Sequence, residues 1–413
     1  MIKRNRVVIT GIGILAPNGI GVEPFWESLL AGRSGIGPIT LFDASEFKSR
    51  IAGEVKAFNP SDYIEPELKP RRMARHTQLS YAATMMALKD AGFNLSKLEL
   101  PSPTPVIIGI STSAIDVIES VHFSLQNNGP NRAPTTSAYA SIPQAAANTI
   151  ADRIGASAHA ATVSSACPSG LDAVADAAEM IRSGEAEIAI AGGADAPITP
   201  LTMASFIAGG LSSYRNSDPQ KASRPFDLER DSGVIAEGAG VFVLEDLERA
   251  EARGARAYLE IGGYGKQRDL DSAKPGSGLE DSMTIALANA GRAPSDIDYI
   301  SAYGPSHPVL DAMEVGAIRK VFRERAYCLP VSSIKGVTGN PLSAAGPFQV
   351  TACALSFRDQ IIPPTANYEV RDPDCDLDFV PNRPRKAKLN CALVNVRGIG
   401  GSASTLVVER IAA

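Results

Sequence analysis

The chain has few cysteines and histidines for its length. Its 413 residues include five cysteines and four histidines. The cysteines are odd in number and scattered, no pair has metal-ligand spacing, and the histidines form no cluster. This pattern argues against a bound metal and fits a reducing cytoplasm. The residues concerned are Cys167, Cys328, Cys353, Cys375 and Cys391, with His76, His122, His159 and His307.

Long apolar runs and an excess of positive charge are also missing. No window reaches the roughly 18 apolar residues that a membrane span needs, so no span is expected. The net charge of −5 argues against bulk attraction to nucleic acid or to an anionic membrane. Residues 1–15 superficially imitate a secretory signal. Gly11 and Gly13 interrupt the apolar run, however, and Pro17 to Gly19 read as a turn, so no signal peptide is expected.

Short β-rich segments alternate with longer helical ones along the whole chain. Val106–Ile110 and Ile188–Gly193 are continuous apolar runs, as expected of strands buried on both faces. Thr77–Ala91 has a helical pattern that ends at Gly92. The sequence therefore predicts an α/β fold.

The second half of the chain repeats the alternation of the first. A chain of 413 residues is long enough for two or three ordinary domains or for one large duplicated unit. The natural seam is the charged segment 248–257. We therefore predict an N-terminal half at 1–250 and a C-terminal half at 251–413.

Cys167 is the strongest candidate for a reactive residue. It lies among small residues in Ser164–Gly170, between an apolar approach and an amphipathic helical stretch. The N-terminus of a helix lowers the pKa of a thiol, which favours an exposed thiolate. Pro168 suits the first helical position, where its missing N–H costs nothing. The alternative is a buried core thiol, the commonest fate of a free cysteine.

Two other motifs carry weaker signals. Gly11–Ala16 satisfies a loose dinucleotide-binding pattern, but Pro17 and Gly19 would stop the helix that should follow, so nucleotide binding is not expected. Lys69–His76 is a compact basic patch on an acidic protein. It is either a solvated face or a docking patch for an acidic partner.

Seven short stretches of the sequence, taken together, resemble those of one protein family. The chain resembles the β-ketoacyl–acyl-carrier-protein synthases, nearest to the type II elongating enzymes, in collinear order over nearly its whole length. The stretches are Ser164–Gly170, Ala191–Asp195, Ser223–Asp227, Ala236–Gly240, Lys335–Asn340, Ala344–Gly346 and Gly398–Ser402.

The resemblance implies a duplicated α-β-α-β-α thiolase-like fold and a homodimer. It implies an acyl group loaded on Cys167 from an acyl carrier protein, whose 4′-phosphopantetheine arm brings the group, with no resident cofactor. Lys335 and Glu314 match the family's active-site lysine and glutamate, and Gly400–Gly401 match its glycine-rich loop. The backbone N–H groups of Cys167 and Ile399 would form the oxyanion hole.

Further matches concern the entrance and the partner surface. Ile399 stands at the gatekeeping phenylalanine. Four residues are expected to set the depth of the acyl pocket, namely Ile110, Ile115, Phe206 and Ile399. The resemblance places the patch that contains Lys69, Arg71 and Arg72 near where the carrier protein docks.

The residues that manage decarboxylation in the family are replaced. Tyr303 and Asn340 stand at the positions of the two histidines. An asparagine NH₂ can still donate a hydrogen bond, whereas a tyrosine, with an ordinary pKa near 10, is a poor general base at neutral pH. Losing one such donor typically costs about 2.7–4 kcal/mol of transition-state stabilisation.

Other departures surround these two. Pro305 and His307 replace the threonines that hold the phosphopantetheine arm, and Arg397 replaces an aromatic residue. His307 either swings an imidazole into the pocket or is merely a residue at its rim.

Three hypotheses follow from this pattern. The first is an acyltransferase of altered mechanism, with decarboxylative condensation changed or impaired. The second is a non-catalytic partner subunit of an active synthase, resembling a chain-length factor, which would make a heterodimer. The third is a thioesterase-like hydrolase, although no base to activate water is evident.

Overall fold

The structure is a computed structural model that describes residues 4–56, 58–155, 159–270 and 276–411. These residues form strands and helices in alternation. The strands are β1 Val7–Ala16, β2 Gly19–Ile20, β3 Ile36–Pro38, β4 Ile51–Gly53, β5 Val106–Gly109, β6 Ala160–Val163, β7 Ile188–Asp195, β8 Gly238–Asp246, β9 Leu259–Arg268, β10 Tyr299–Ser301, β11 Val331–Ser332, β12 Ile361–Ile362, β13 Arg385–Lys386, β14 Cys391–Arg397 and β15 Ser402–Glu409. The helices are α1 Val22–Leu30, α2 Arg75–Asp90, α3 Ile115–Asn128, α4 Ser137–Ala140, α5 Ala145–Ile154, α6 Ser169–Arg182, α7 Pro200–Ala208, α8 Leu247–Ala252, α9 Ser277–Ala290, α10 Pro308–Phe322, α11 Lys335–Thr338 and α12 Ala345–Asp359.

One large mixed sheet organises the molecule. Its 11 strands run in the order β11-β10-β14-β15-β9-β1-β8-β7-β5-β6, with β2 attached to β1. In the first half, β7 lies between the parallel β5 and the antiparallel β8. In the second half, β14 lies in the same way between β10 and β15, and β1 joins β9 where the halves meet. The predicted α/β class and the duplicated arrangement of strands are confirmed.

Helices cover both faces of the sheet, and β5 shows the consequence. Ile107 packs with Leu171 of α6 on one face, whereas Val106 and Ile108 pack with Ile150 of α5 on the other. A strand covered on both sides gains from an apolar residue at every position. This explains the continuous apolar run in the sequence.

The glycines near the N-terminus have a different role from the one predicted. Gly11 and Gly13 lie inside β1, all ten residues of which are buried, so the apolar run is a single strand and is not interrupted. A Cβ at Gly13 would lie 1.8 Å from the carbonyl oxygen of Ala83 in α2, and one at Gly11 would lie 2.1 Å from that of Ala87. The glycines therefore allow close packing of strand against helix.

Two further observations bear on the predictions. Helix α6 begins at Ser169 with Pro168 as its N-cap, so Pro168 precedes the first helical position instead of occupying it. Within the described ranges, none of the helices is both long and apolar enough to cross a bilayer.

Candidate active site

A tight turn between β6 and α6 presents Cys167. Ala166, immediately before it, has a φ of 64°, in the left-handed region that a residue with a Cβ seldom adopts. The Ser169 hydroxyl stabilises the turn, since it accepts from the N–H of Ser165 at 2.8 Å and donates to the Ala166 carbonyl at 2.5 Å. Strained backbone held by its surroundings is a common feature of active sites.

The predicted exposure of Cys167 is wrong, because the residue is only 2% exposed. Burial raises the pKa of its thiol, against the lowering predicted from the helix N-terminus. A hydrogen bond from the Tyr303 hydroxyl, the charge of Lys335 and the backbone N–H of Ile399 oppose this rise, whereas the buried Asp195 adds to it. Neighbouring groups therefore stabilise the thiolate, whereas burial away from water destabilises it.

The sulfur is nevertheless not sealed off, because Cys167 lines a cavity of about 40 Å³. Ile399, which also lines it, is 57% exposed, so the cavity reaches the surface. Of the four residues expected to set the pocket's depth, Phe206 and Ile399 line it, whereas Ile110 and Ile115 do not. The remaining lining residues are Leu211, Ser232, Gly233, Val234, Ile235, Tyr303, Pro305, His307, Leu310, Asn340, Arg397 and Gly398.

Tyr303 and Asn340 contact each other at this cavity. Asn340 Nδ2 donates a hydrogen bond to Tyr303 Oη at 3.2 Å, and the Tyr303 hydroxyl lowers the pKa of the Cys167 thiol by stabilising its anion. Tyr303 is buried, which raises its pKa well above 10. Its hydroxyl therefore stays protonated and acts as a donor, not as a base. Lys335 Nζ lies 4.4 Å from the centroid of the Tyr303 ring, within the range of a cation–π interaction.

Glu314 holds the loop that carries Tyr303. Its carboxylate accepts the backbone N–H of Tyr303 at 2.9 Å and that of Gly304 at 2.8 Å, together with Asn395 Nδ2 at 3.2 Å. Burial raises the pKa of Glu314. Burial also lowers the pKa of Lys335, whose Nζ donates to Gln349 at 3.4 Å, and the charge of Glu314 opposes that lowering. Glu314 thus holds the backbone of Tyr303 and Lys335 lies near its ring, although neither residue lines the cavity.

His307 occupies the rim of the cavity as a helix cap. Its Nδ1 accepts the backbone N–H groups of Val309 at 3.1 Å and of Leu310 at 3.4 Å, at the start of α10. Burial lowers its pKa, helped by the positive charge of Arg230. The imidazole is therefore neutral near pH 7, and one of its two nitrogens is already occupied.

The glycine-rich loop between β14 and β15 lies directly on the turn that carries Cys167. A Cβ at Gly398 would be 3.0 Å from the side chains of Ala166 and Pro168, and the Ser402 hydroxyl donates to the carbonyl of Ser165 at 3.1 Å. This contact brings the N–H of Ile399 to the sulfur of Cys167.

Sequence reasoning missed the acidic groups around the site. Asp195, at the end of β7, accepts the N–H of Thr112 at 2.8 Å and that of Ser343 at 2.9 Å. Its position at the end of a buried strand was the available signal. Asp269 pairs with Arg397 at 2.6 Å, and no sequence pattern marks it.

A third missed carboxylate lies behind the turn of Cys167. Asp172, buried in the first turn of α6, accepts hydrogen bonds from the hydroxyls of Ser165 at 2.5 Å, Ser404 at 2.6 Å and Tyr264 at 2.7 Å. It thereby ties the turn to the strands of the C-terminal half.

The basic patch is smaller than predicted. Lys69, Arg71 and Arg72 are exposed, but Arg75 is paired with the buried Glu237 at 2.6 Å, and His76 is fully buried. Burial lowers the pKa of His76 to about 4, so it carries no charge at neutral pH. None of the three exposed cations lines the cavity at Cys167.

Comparison with known proteins agrees with this geometry. Residues 4–250 match the family described as "Beta-ketoacyl synthase, N-terminal domain", and residues 258–369 match "Beta-ketoacyl synthase, C-terminal domain". The chain is 40% identical to the tetracenomycin polyketide synthase ketoacyl synthase alpha subunit of Streptomyces glaucescens, over 98% of this chain and 97% of that protein. It is 38% identical to 3-oxoacyl-[acyl-carrier-protein] synthase 2 of Coxiella burnetii, over 99% of both chains.

Solved structures show the same likeness. The ishigamide ketosynthase/chain length factor superposes with a TM-score of 0.92 at 33% identity, over 99% of this chain and all of that chain. A ketosynthase complex with a type II polyketide acyl-carrier protein and a hexaketide superposes with a TM-score of 0.90 at 33% identity, with the same coverage. Because the two domain descriptions match residues 4–250 and 258–369 and the whole fold superposes on solved ketosynthases, the chain belongs to the beta-ketoacyl synthase family and has its thiolase-like fold.

Proposed function

We propose that the protein is a ketosynthase-type acyltransferase that accepts an acyl group from an acyl carrier protein on Cys167. The observation that carries this proposal is the placement of that sulfur. It lies in a cavity that reaches the surface, beside a protonated tyrosine hydroxyl, a backbone N–H and a buried ammonium group. Relatives of the chain are ketosynthases of fatty-acid and polyketide synthesis.

The transfer step needs only groups that the site contains. The thiolate of Cys167 attacks the thioester carbonyl and forms a new S–C bond, while the bond to the phosphopantetheine sulfur breaks. The proton that Cys167 gives up is the one that the leaving thiolate takes, so the exchange is balanced. Backbone N–H groups of Cys167 and Ile399 would stabilise the oxyanion, a role that the contact of the Ile399 N–H with the sulfur supports.

Condensation would use Tyr303 and Asn340 as the donors to the malonyl thioester carbonyl. In the free enzyme the Tyr303 hydroxyl accepts from Asn340 and stabilises the thiolate form of Cys167. Once the sulfur is acylated it is a weak acceptor, which frees the hydroxyl to turn towards an enolate. Tyr303 cannot serve as a base, so we expect condensation to be slower than with an imidazole pair.

Intact-mass measurement tests the proposal directly. The protein is incubated with hexanoyl-loaded acyl carrier protein, and Cys167→Ala is the matched control. We expect a hexanoyl adduct on the native chain and none on the variant. No adduct, or an equal adduct on both chains, would refute the assignment.

The exposed cations Lys69, Arg71 and Arg72 are proposed to dock the acidic carrier protein. Because charge at a rim mainly accelerates association, Lys69→Glu with Arg72→Glu should slow adduct formation at low salt about tenfold. Lys388→Glu, another exposed lysine, is the control. Adduct formation that is equally fast in both variants would reject this docking surface.

We further propose a homodimer in a reducing cytoplasm. Strand β6 lies at one end of the sheet, so among the described strands it pairs with a neighbour on one side only. Its four residues are apolar or small and are half-buried. A second copy could extend the sheet there. All five cysteines are free, which suits a reducing compartment. Light scattering and cell fractionation test the two statements, and a monomer or an exported protein would contradict them.

The second candidate is a chain-length-factor-like partner of an active ketosynthase. The replaced histidine positions and the small cavity of about 40 Å³ favour it. It predicts a stable complex with a complete synthase from the host and no acyl adduct on Cys167. A homodimer that forms the adduct would rule it out.

The hydrolase hypothesis finds no support in the site. Tyr303 stays protonated, and His307 uses one nitrogen as a helix cap. Release of free hexanoic acid in the mass assay, at a rate above the blank, would revive it.

A further inference from the structure

Arg397 is an unusual residue for the wall of this cavity. Of the described residues that line it, Arg397 is the only one with a permanent charge, and most of the others are apolar or small. Its side chain is only 12% exposed. A buried cation is retained at a cost unless it is paired, so its partners show what it can still bind.

The pairing of Arg397 within the protein is incomplete. Its Nη2 donates to Asp269 Oδ2 at 2.6 Å, whereas its Nε is buried and has no hydrogen-bond partner among the described residues. Asp269 shares its charge further, because its Oδ1 accepts the backbone N–H groups of Gly276 at 3.1 Å and Gly278 at 2.8 Å. Asp269 thus holds the guanidinium in place, while the Nε donor of Arg397 makes no hydrogen bond within the described residues.

The position of Arg397 relative to Cys167 follows from the loop that it begins. Arg397 ends β14, and the next residue, Gly398, lies against Ala166 and Pro168, which flank the cysteine. Burial raises the pKa of Tyr303 and lowers that of His307, and in both cases the charge of Arg397 adds a lowering contribution. The guanidinium therefore acts on both of these cavity side chains.

An unpaired acceptor lies in the same cavity. Asn340 Oδ1 is buried and has no hydrogen-bond partner among the described residues, while its Nδ2 is engaged with Tyr303. The polar part of the cavity thus has one positively charged donor and one neutral acceptor free. A group with a single anionic oxygen pair matches the charged donor, because guanidinium and carboxylate pair in one plane.

We propose that Arg397 forms a subsite for a free carboxylate on the acyl group, as carried by a malonyl-type thioester. This inference rests on the proposed function, since it takes the ligand of the cavity to be an acyl thioester. Arg397 then determines specificity by favouring an acyl group with a negative charge over a neutral one of the same size.

The subsite also has a consequence for decarboxylation. In that step the bond from the α-carbon to the carboxylate carbon breaks, CO₂ leaves, and the electron pair moves into the enolate. As the bond breaks, the negative charge moves from the carboxylate, which pairs with the guanidinium, to the enolate. The ion pair with Arg397 therefore stabilises the bound thioester more than the transition state. Arg397 therefore retains the malonyl unit and does not accelerate its loss.

Calorimetric binding of two unreactive analogues tests the subsite. The malonyl and isovaleryl amides of aminopantetheine have acyl groups with equal numbers of non-hydrogen atoms. NH replaces the thioester sulfur in both, so acyl transfer does not occur and the malonyl group does not lose CO₂ as a β-keto acid would. We expect the native chain to bind the malonyl analogue at least tenfold more tightly. Arg397→Gln should remove the preference for the malonyl analogue and change isovaleryl binding less than twofold. Arg397→Lys should keep part of the preference. Arg383→Gln, at an exposed arginine, is the control and should leave the binding of both analogues unchanged.

Asp269→Asn separates a binding role from a structural one. Asparagine keeps an oxygen for the N–H groups of Gly276 and Gly278 but removes the charge that competes for Arg397. We expect the malonyl analogue to bind this variant at least as tightly as the native chain. Three results would overturn the proposal. Asp269→Asn could lose malonyl binding as much as Arg397→Gln does, Arg397→Gln could weaken the binding of both analogues equally, or the native chain could show no preference for the malonyl analogue.

The outcome is independent of acyl transfer. If the mass assay finds no adduct on Cys167 but the malonyl preference depends on Arg397, the proposed transfer fails and the subsite stands. If the adduct forms and the preference is absent, only the subsite fails.

Discussion

Asn340 donates a hydrogen bond to the hydroxyl of Tyr303 at 3.2 Å, in the cavity that Cys167 also lines. The two residues that are predicted from the sequence to stand at the family's histidine positions are therefore in direct contact. A change at one alters the partner of the other. The phenol and the amide therefore act together on the thiol, because the amide holds the hydroxyl that lowers the pKa of Cys167.

Tyr303→Phe should make Cys167 less reactive. Burial raises the pKa of the thiol, and the Tyr303 hydroxyl opposes that rise by donating to the anion. A hydrogen bond to a charged group is worth about 1.5–3 kcal/mol, so alkylation by iodoacetamide at pH 8 should slow about tenfold or more.

The pH dependence has a definite sign. Only the thiolate reacts, so the alkylation rate should rise with pH and reach its midpoint above 9, and in Tyr303→Phe the midpoint should move higher still. Tyr327→Phe, at an exposed tyrosine, is the control. A midpoint below 8 in the native chain would contradict the effect of burial.

Tyr303→His should raise the decarboxylation of malonyl-loaded carrier protein if the tyrosine replaces an imidazole donor at a cost. One such donor is typically worth a factor of about 10²–10³ in rate. The measurement is the rate of CO₂ release for the native chain and the variant. A fall in rate would show that Tyr303 has a function of its own in the unit with Asn340.

Gly13→Ala should strongly destabilise the fold. The new Cβ would meet the backbone oxygen of Ala83 at 1.8 Å, and backbone in the centre of the molecule cannot move aside cheaply. We expect a loss of about 3 kcal/mol or more in the free energy of unfolding, measured by urea titration. Gly316→Ala in α10, where nothing lies within 4 Å, should be neutral or slightly stabilising.

His76 should make stability depend on pH below neutrality. Burial lowers its pKa from 6.5 to about 4, so the unfolded chain binds a proton before the folded chain does. The contribution of neutral His76 to the free energy of unfolding is fully present above pH 6.5 and is lost as the pH falls to about 4. It amounts to about 3 kcal/mol at most. In His76→Gln the stability curve should be flatter across this window, whereas His122→Gln, at an exposed histidine, should follow the native curve. Parallel native and His76→Gln curves would contradict this effect.

Local patterns predicted much of the fold. The apolar run of β5 and the helical pattern of α2 depend on neighbouring residues, and both appear where they were expected. The role of Gly13 was misread, because the reason for a glycine there is a carbonyl oxygen 70 residues away in the chain. The charges of Arg75 and His76 were counted as surface for the same reason, since their burial depends on Glu237 and on the packing of α2.

The sequence by itself determined the α/β class, the family and the nucleophile candidate, because repeating hydrophobic periods and short collinear motifs are properties of local order along the chain. Only the tertiary structure decided that the thiol of Cys167 is buried, that Tyr303 and Asn340 share a hydrogen bond, and that Arg397 lines the cavity with part of its guanidinium unpaired. Those facts depend on distances between β6, β10, α11 and β14, which only the folding of the chain into one sheet brings together.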